Sequence, residues 1–78
     1  MTRNSARRLR RAAEVQANIA CRRHTKPWVH FQVEVFFRFR AGMDTPDIAL
    51  ELGEHEAVVA AALADAREVV RAIEGAAA

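Results

Sequence analysis

Residues 41–68 have the sequence AGMDTPDIALELGEHEAVVAAALADARE, and they decide the fold because they contain a helix start, a helix stop and a second helix. Asp44 or Thr45 is suited to capping the first helix, and Pro46 has the backbone angle of a first helical turn. Gly53 suits the end of that helix, since glycine adopts a left-handed conformation without steric cost. The sequence therefore predicts a helix of about two turns from Thr45, followed directly by another helix.

The second helix is predicted to begin near His55 or Glu56 and to bury one apolar stripe. Its apolar residues recur at spacings of three, four or seven, as one face of an α-helix requires. They are Val59, Leu63, Ala66, Val70 and Ile73. The small side chain of Ala49, four residues before Gly53, allows the two helices to approach closely where they cross.

This pattern resembles the helix-turn-helix family, in particular small bacterial and phage domains similar to sigma-factor region four. The resemblance covers roughly residues 33 to 70, and the matching positions are Ile48, Ala49, Leu52, Gly53, Val59, Leu63 and the closing Ala66-Arg67-Glu68. It implies an all-α fold, a small helix-turn-helix bundle of three to four helices, and a DNA-binding transcriptional regulator. The chain departs from the family at Glu54, where the turn residue is usually apolar, and at His55, where Ser or Thr commonly caps the recognition helix.

The expected recognition helix lacks the side chains that read bases. Direct reading of the major groove requires donors such as Arg, Lys, Asn or Gln on the exposed face. That face is predicted to carry Val58, Ala60, Ala61 and Ala64 instead. Glu54 and Glu56 would also repel phosphates. The sequence therefore predicts DNA binding that is only weakly sequence-specific.

The alanines of the second helix have another use, because small side chains let two helices pack closely. The predicted interface consists of Ala57, Ala60, Ala61, Ala64, Trp28 and Phe37. Alanine is also the best helix former and fills solvent positions for that reason alone. The alternative function is thus a protein-interaction module or phage-type inhibitor, built on a helix-turn-helix scaffold that has lost its base-reading residues.

Charge divides the chain into two unlike halves. Residues 1–40 contain ten Lys or Arg against two acids, a balance of +8, whereas residues 41–78 contain two Arg against eight acids, a balance of −6. A dense basic segment is suited to phosphate contact, which supplies affinity without sequence information. The predicted nucleic-acid-binding residues are Arg7, Arg8, Arg10, Arg11, Arg22, Arg23, Lys26, Arg38, Arg40 and His55. The alternative is a solvated arm, or a face paired with the acidic half.

The segment WVHFQVEVFFRFR, residues 28–40, fits two secondary structures. Apolar and polar residues alternate along it, which is typical of a strand. Wound as a helix, it places His30, Glu34 and Arg38 on one polar stripe, and Pro27 suits a first helical turn. A lone strand would need a partner for its edges, so we expect a helix. The alternative is a dimer that resembles ribbon-helix-helix proteins, with a strand at residues 29–39.

Seventy-eight residues make one domain, 1–78, with a basic N-terminal helix or arm at 1–26 and a helix-turn-helix core at 27–74. A domain of this size buries a limited fraction of its surface and gains stability from a partner. Trp28 and the four phenylalanines are concentrated in one short segment of the chain. We therefore expect a homodimer in which some of them lie at the subunit contact. The alternative is that the N-terminal helix covers them.

The sequence offers little for catalysis. Cys21 is the only cysteine and is expected to be a buried thiol in a reducing compartment. His24, His30 and His55 are too scattered to define a metal site, and the isolated glycines form no phosphate-binding loop. The chain is thus expected to be a cytoplasmic, non-enzymatic protein without catalytic residues, cofactor, metal or membrane partner.

Overall fold

The computed structural model describes residues 3–77, with side chains from residue 6 to residue 76. Four helices follow one another along the chain: α1 (Arg3–Arg22), α2 (Lys26–Arg40), α3 (Thr45–Leu52) and α4 (Glu56–Ala77). No β-strand occurs between residues 3 and 77. The predicted small all-α bundle is confirmed. The ribbon-helix-helix alternative is wrong, because residues 29–39 all lie inside α2.

Local signals in the sequence begin and end these helices. The hydroxyl oxygen of Thr25 accepts a hydrogen bond of 3.2 Å from the Trp28 amide, and Pro27 lies in the first turn of α2. Asp44 is the residue before α3, although its side chain makes no capping hydrogen bond. Gly53 ends α3 in the left-handed region, with φ +67° and ψ +35°. The predicted limits of α3 are therefore confirmed.

Helix α4 lies at the centre of the bundle, because α1, α2 and α3 all pack against it. The core is built mainly from α2, α3 and α4, and α1 supplies one fully buried residue, Ile19. The buried hydrophobic side chains are Ile19, Trp28, Val35, Ile48, Ala49, Val58, Val59, Ala62, Leu63 and Ala66. The predicted stripe on α4 is thus confirmed at Val59, Leu63 and Ala66, where burial by three neighbouring helices is greatest.

Two expectations about α4 are wrong for reasons of packing. Val58, expected on the exposed face, is only 3% exposed, because α1 passes over the start of α4 with Val15 and Asn18 nearby. Ile73, expected on the buried stripe, is 63% exposed. All described side chains from residue 71 to residue 76 are exposed, because the last turns of α4 extend past the neighbouring helices.

The aromatic residues of α2 are covered within one chain more fully than expected. Trp28 is completely buried, so its prediction as an interface residue is wrong. Helix α4 covers it, and the guanidinium of Arg22 lies 5.5 Å from the ring centre. Arginine side chains also lie over Phe31, Phe36 and Phe39, which are half-buried. Phe37 is the exception, with 69% of its surface exposed.

Helix α1 contacts the bundle mainly through its last turns. Ile19 is buried and Val15 and Arg22 are half-buried, while the other described side chains of α1 are exposed. Cys21 is exposed as well, so the expected buried thiol is wrong. The bundle is elongated, with extents of 52 × 23 × 21 Å. Most of the basic residues of α1 consequently face solvent.

Candidate nucleic-acid interface

The turn between α3 and α4 is short, and its backbone amides at Gly53 and Glu54 are hydrogen-bonded. The amides of Gly53 and Glu54 both donate to the carbonyl of Ala49, the second at 3.0 Å. The Ala57 amide then donates to the imidazole Nδ1 of His55 at 3.1 Å, so His55 caps the start of α4 as Ser or Thr would. Because Nδ1 accepts this bond, the ring nitrogen that remains available as a donor is Nε2.

The two glutamates of this turn, expected to repel phosphates, are both engaged within the chain. Glu54 Oε1 lies 3.1 Å from the guanidinium of Arg22. Glu56 Oε1 accepts a hydrogen bond of 3.3 Å from the hydroxyl of Thr45. The ion pair offsets the charge of Glu54, so the repulsion at the turn is weaker than the sequence indicates.

A shallow groove separates α1 from the start of α4. It has a volume of about 230 Å³, and Arg8, Arg11 and Val15 form one wall while His55 and Ala57 form the other. Arg8 and Arg11 lie three residues apart on one side of α1, and both are exposed. The N-terminus of α4 adds the partial positive charge of its helix dipole. Two arginines therefore border the groove on the α1 side, and the start of α4 borders it on the other.

Arg7 and Arg10 extend this basic surface along α1. Both are exposed. Among the described side chains, no ion pair involves any of the four arginines between residues 7 and 11. The acid on this helix is Glu14, which lies with Arg11 in a neighbouring groove that also reaches His55. The structure thus brings three of the predicted nucleic-acid-binding residues to one groove, Arg8, Arg11 and His55, while Arg7 and Arg10 are exposed on the same turns of α1.

Three other arginines predicted to contact phosphate are held by acids of the same chain. Arg22 pairs with Glu54. Arg23 Nε donates to Asp65 Oδ2 at 2.8 Å. Arg38 lies 2.5 Å from Glu34 and 3.5 Å from Glu51. The Arg38–Glu34 pair lies within α2, whereas the contacts of Arg22, Arg23 and Arg38 with Glu54, Asp65 and Glu51 join the basic half of the chain to its acidic half.

Asp65 is the most heavily engaged of these acids. Besides the Arg23 contact, its Oδ2 accepts a hydrogen bond of 3.0 Å from the indole Nε1 of Trp28. The hydrogen bond from Arg23 is the main reason why the pKa of Asp65 is lowered, and the bond from Trp28 lowers it further. Asp65 is therefore a structural carboxylate that fixes the α1–α2 corner onto α4.

The remaining predicted cations lie elsewhere. Lys26 is exposed at the start of α2. Arg40 lies over Phe36 at 5.8 Å and lines a separate groove between α2 and α4, together with Arg67, Arg71 and the acid Glu74. Sequence reasoning missed this second basic group. Its signal was the spacing of four between Arg67 and Arg71 on one helix, within the acidic half of the chain.

The alanines of α4 divide between the core and the surface. Ala60 and Ala64 are exposed, while Ala57 and Ala61 are half-buried and Ala61 packs against the core. The exposed side of the first three turns of α4 consequently presents methyl groups and no hydrogen-bond donor side chains. It cannot read hydrogen-bonding groups on base edges, although methyl groups can contact thymine.

Within the described residues, no group of three or more His, Cys, Asp or Glu side chains is placed to hold a metal ion. None of the described helices combines the length and apolarity needed to cross a membrane. Comparisons of the chain with protein-family models, with curated proteins and with solved structures found no match.

Proposed function

We propose that this chain is a small, non-enzymatic DNA-binding regulator that holds duplex DNA by its phosphates, with little reading of base sequence. The observation that carries the proposal is the group of exposed, unpaired arginines at positions 7, 8, 10 and 11 of α1, two of which, Arg8 and Arg11, line the groove beside the start of α4. No second group of this density is present among the described side chains. The proposal therefore assigns the binding energy to α1 rather than to the recognition face of α4.

The arrangement suits a phosphate backbone because residues that carry hydrogen-bond donors border both sides of the same groove. Arg8 and Arg11 supply charged donors from one wall, and His55 supplies its Nε2–H from the other. The start of α4 adds its helix dipole, which favours an anion at that end. Contacts of this kind orient a protein on the duplex and carry no sequence information.

Specificity is expected to be weak for a separate reason. Ala60 and Ala64, exposed on α4, can contact thymine methyl groups but cannot donate hydrogen bonds. Any preference among sequences would then reflect the shape of the duplex and its methyl groups. Affinities for unrelated duplexes of equal length should differ little.

Fluorescence anisotropy with a labelled random duplex at several salt concentrations tests this proposal. Replacing Arg7, Arg8, Arg10 and Arg11 together with Gln should weaken binding to every duplex. The slope of log affinity against log salt should flatten by up to about 0.9 for each contact removed.

A pair of double variants locates the effect. Arg8→Gln/Arg11→Gln and Arg67→Gln/Arg71→Gln each remove two positive charges, but only the first pair lies beside the start of α4. The first variant should lose affinity and salt dependence, and the second should keep most of both. Equal losses would mean that net charge alone attracts the DNA, and an unchanged first variant would refute the assignment to α1.

A protein-interaction module is the second candidate, favoured by the methyl-rich, donor-free exposed side of α4. Ala64→Arg tests it better than a change at Ala61, because Ala64 is exposed and Ala61 packs against the core. A long charged side chain at residue 64 should abolish close packing of a partner helix without unfolding the chain. Binding to DNA that weakens steeply with salt, and is unaffected by Ala64→Arg, would count against this candidate.

A further inference from the structure

Glu54, in the turn between α3 and α4, lines the same groove as two of the proposed phosphate contacts. That groove has a volume of about 270 Å³, and Arg11, Glu54 and His55 are among its lining residues. A carboxylate there can accept hydrogen bonds from the donors that a phosphate needs, so it is a competitor for them. The Glu54 amide donates to the Ala49 carbonyl at 3.0 Å, which fixes the backbone. The effect of Glu54 on the groove therefore depends on its side chain.

The side chain of Glu54 is paired with Arg22, the last residue of α1. Glu54 Oε1 lies 3.1 Å from Nη1 of Arg22, with 30% of the Glu54 side chain and 34% of the Arg22 side chain exposed. Solvent and salt screen a partly buried pair less than a fully exposed one. The carboxylate of Glu54 is therefore engaged by an opposite charge that comes from outside the groove.

Arg22 is itself held at both its backbone and its guanidinium. The guanidinium carbon lies 5.5 Å from the ring centre of Trp28 and 5.4 Å from that of Phe31. The Arg22 carbonyl accepts hydrogen bonds from the amide of Thr25 at 3.2 Å and from its hydroxyl at 2.6 Å. Guanidinium groups are attracted to aromatic ring faces, and contacts with two rings restrict their motion. Arg22 is thus a fixed cation at the corner between α1 and α2.

These contacts distinguish Arg22 from the arginines proposed to bind phosphate. Arg8 and Arg11 are exposed and belong to none of the ion pairs among the described side chains. Arg22 follows Arg11 by eleven residues, about 16 Å along α1. Among the described residues, those that line the two grooves beside His55 do not include Arg22. The three arginines are alike in charge, and their surroundings separate them.

We propose that Arg22 is a positioning residue for phosphate binding, which keeps the Glu54 carboxylate from the donors of Arg11 and His55 and does not contact DNA itself. This inference rests on the proposed function. Loss of Arg22 frees the Glu54 side chain, whose carboxylate then meets those donors and repels the phosphate that would bind there. Arg22 therefore acts on DNA binding through Glu54.

A cycle of four chains tests this coupling: the unaltered protein, Arg22→Gln, Glu54→Gln and the double variant. Each is titrated with a labelled random duplex at several salt concentrations, and binding is followed by fluorescence anisotropy. Arg22→Gln should weaken binding about threefold or more, and adding Glu54→Gln should recover the loss. The double variant removes one positive and one negative charge, so its net charge is unaltered. It should match the unaltered protein in affinity and in salt dependence.

Arg23→Gln is the matched control for the loss of a paired arginine. It removes the same charge at the next position, and its partner Asp65 is not among the residues that line the two grooves beside His55. The freed carboxylate then lies away from the proposed phosphate contacts. Arg23→Gln should therefore weaken DNA binding less than Arg22→Gln does.

A comparison of two acids tests the same inference without replacing Arg22. Glu14 lines the groove with Glu54, and it belongs to none of the ion pairs among the described side chains. Glu14→Gln should strengthen DNA binding more than Glu54→Gln does, because Arg22 already offsets the charge of Glu54. The result holds even where Arg22→Gln destabilises the chain through loss of its ring contacts.

Urea denaturation of the four chains without DNA, followed by circular dichroism, shows whether the ion pair forms. Glu54→Gln should lower the midpoint in the unaltered protein and leave it unchanged in Arg22→Gln, because the pair is already broken there. An equal fall in both would mean that the two side chains are not coupled, and it would overturn the inference whatever the result with DNA.

Two results with DNA would also overturn the inference. A double variant whose salt slope is lower by about 0.9 has lost a phosphate contact, so Arg22 would touch DNA directly. A loss on Arg22→Gln that Glu54→Gln leaves unrepaired does not act through Glu54. An unaltered protein that binds no duplex refutes the proposed function and this inference with it, whereas salt-dependent binding with either of these results refutes the inference alone.

Discussion

The hydrogen bond between Trp28 and Asp65 allows a sharp test of what holds the bundle together. Asp65→Ala leaves the indole N–H in a completely buried side chain and removes the oxygen that accepts from it at 3.0 Å. A buried donor without a partner costs about 1–3 kcal/mol. The same change also removes the Arg23 contact, which adds less because that guanidinium is exposed to solvent.

Urea denaturation followed by tryptophan fluorescence measures this loss directly, since Trp28 is the only tryptophan. For a urea dependence of about 1–3 kcal/mol per molar, the midpoint should fall by about 1 M. Arg23→Ala is the comparison variant: it breaks the ion pair and leaves the indole bond intact, so it should lower the midpoint less. Equal midpoints for Asp65→Ala and Arg23→Ala would refute the reasoning, because the indole bond would then contribute nothing measurable.

Four further outcomes are expected. The folded-state pKa of Asp65 lies below its ordinary value of 3.8, so the stability that this carboxylate supplies is present above pH 3.8 and is lost as the pH falls through the folded-state pKa. The difference in unfolding free energy between the unaltered chain and Asp65→Asn should therefore shrink as the pH falls below 3.8. Gly53→Ala should cost about 1–2 kcal/mol in urea denaturation, because φ is +67° there although space is open around the site; no loss would mean that the turn relaxes. Ile19→Ala should cost about 2–5 kcal/mol and release α1, detected as faster amide exchange along that helix; unchanged exchange would show that α1 is held by other contacts. Cys21 should react with a thiol reagent in the native protein as fast as after unfolding, and strong protection would contradict its exposure.

The local order of the chain was largely predictable from short stretches of sequence. Pro46 and Gly53 set the limits of α3, and Pro27 marked the start of α2, because the backbone preferences of these residues act on their immediate neighbours. The alternation in residues 29–39 was ambiguous, since it fits the period of a strand and also leaves a buried face on a helix. The structure has a helix there, with α4 packed against its Trp28 and Val35 side.

The candidate site was only partly predictable. Sequence analysis selected Arg7, Arg8, Arg10 and Arg11 for their density, and two of them, Arg8 and Arg11, line the groove beside the start of α4. It selected Arg22 and Arg23 on the same ground, and those two are paired with acids more than thirty positions away. Charge along a sequence shows where cations are and leaves open which of them meet a partner when the chain folds.

By itself, the sequence determined α3 and α4 with their approximate limits, the start of α2 and the separation of basic from acidic residues, because these depend on backbone preferences and composition. Tertiary structure alone decided that Trp28 is buried and Phe37 exposed, and that His55 and Arg8 face one groove. It also left the second half of α4 uncovered. The physical reason is that burial and ion pairing depend on how helices distant in sequence pack together, and α4, packed by all three others, is where those contacts meet.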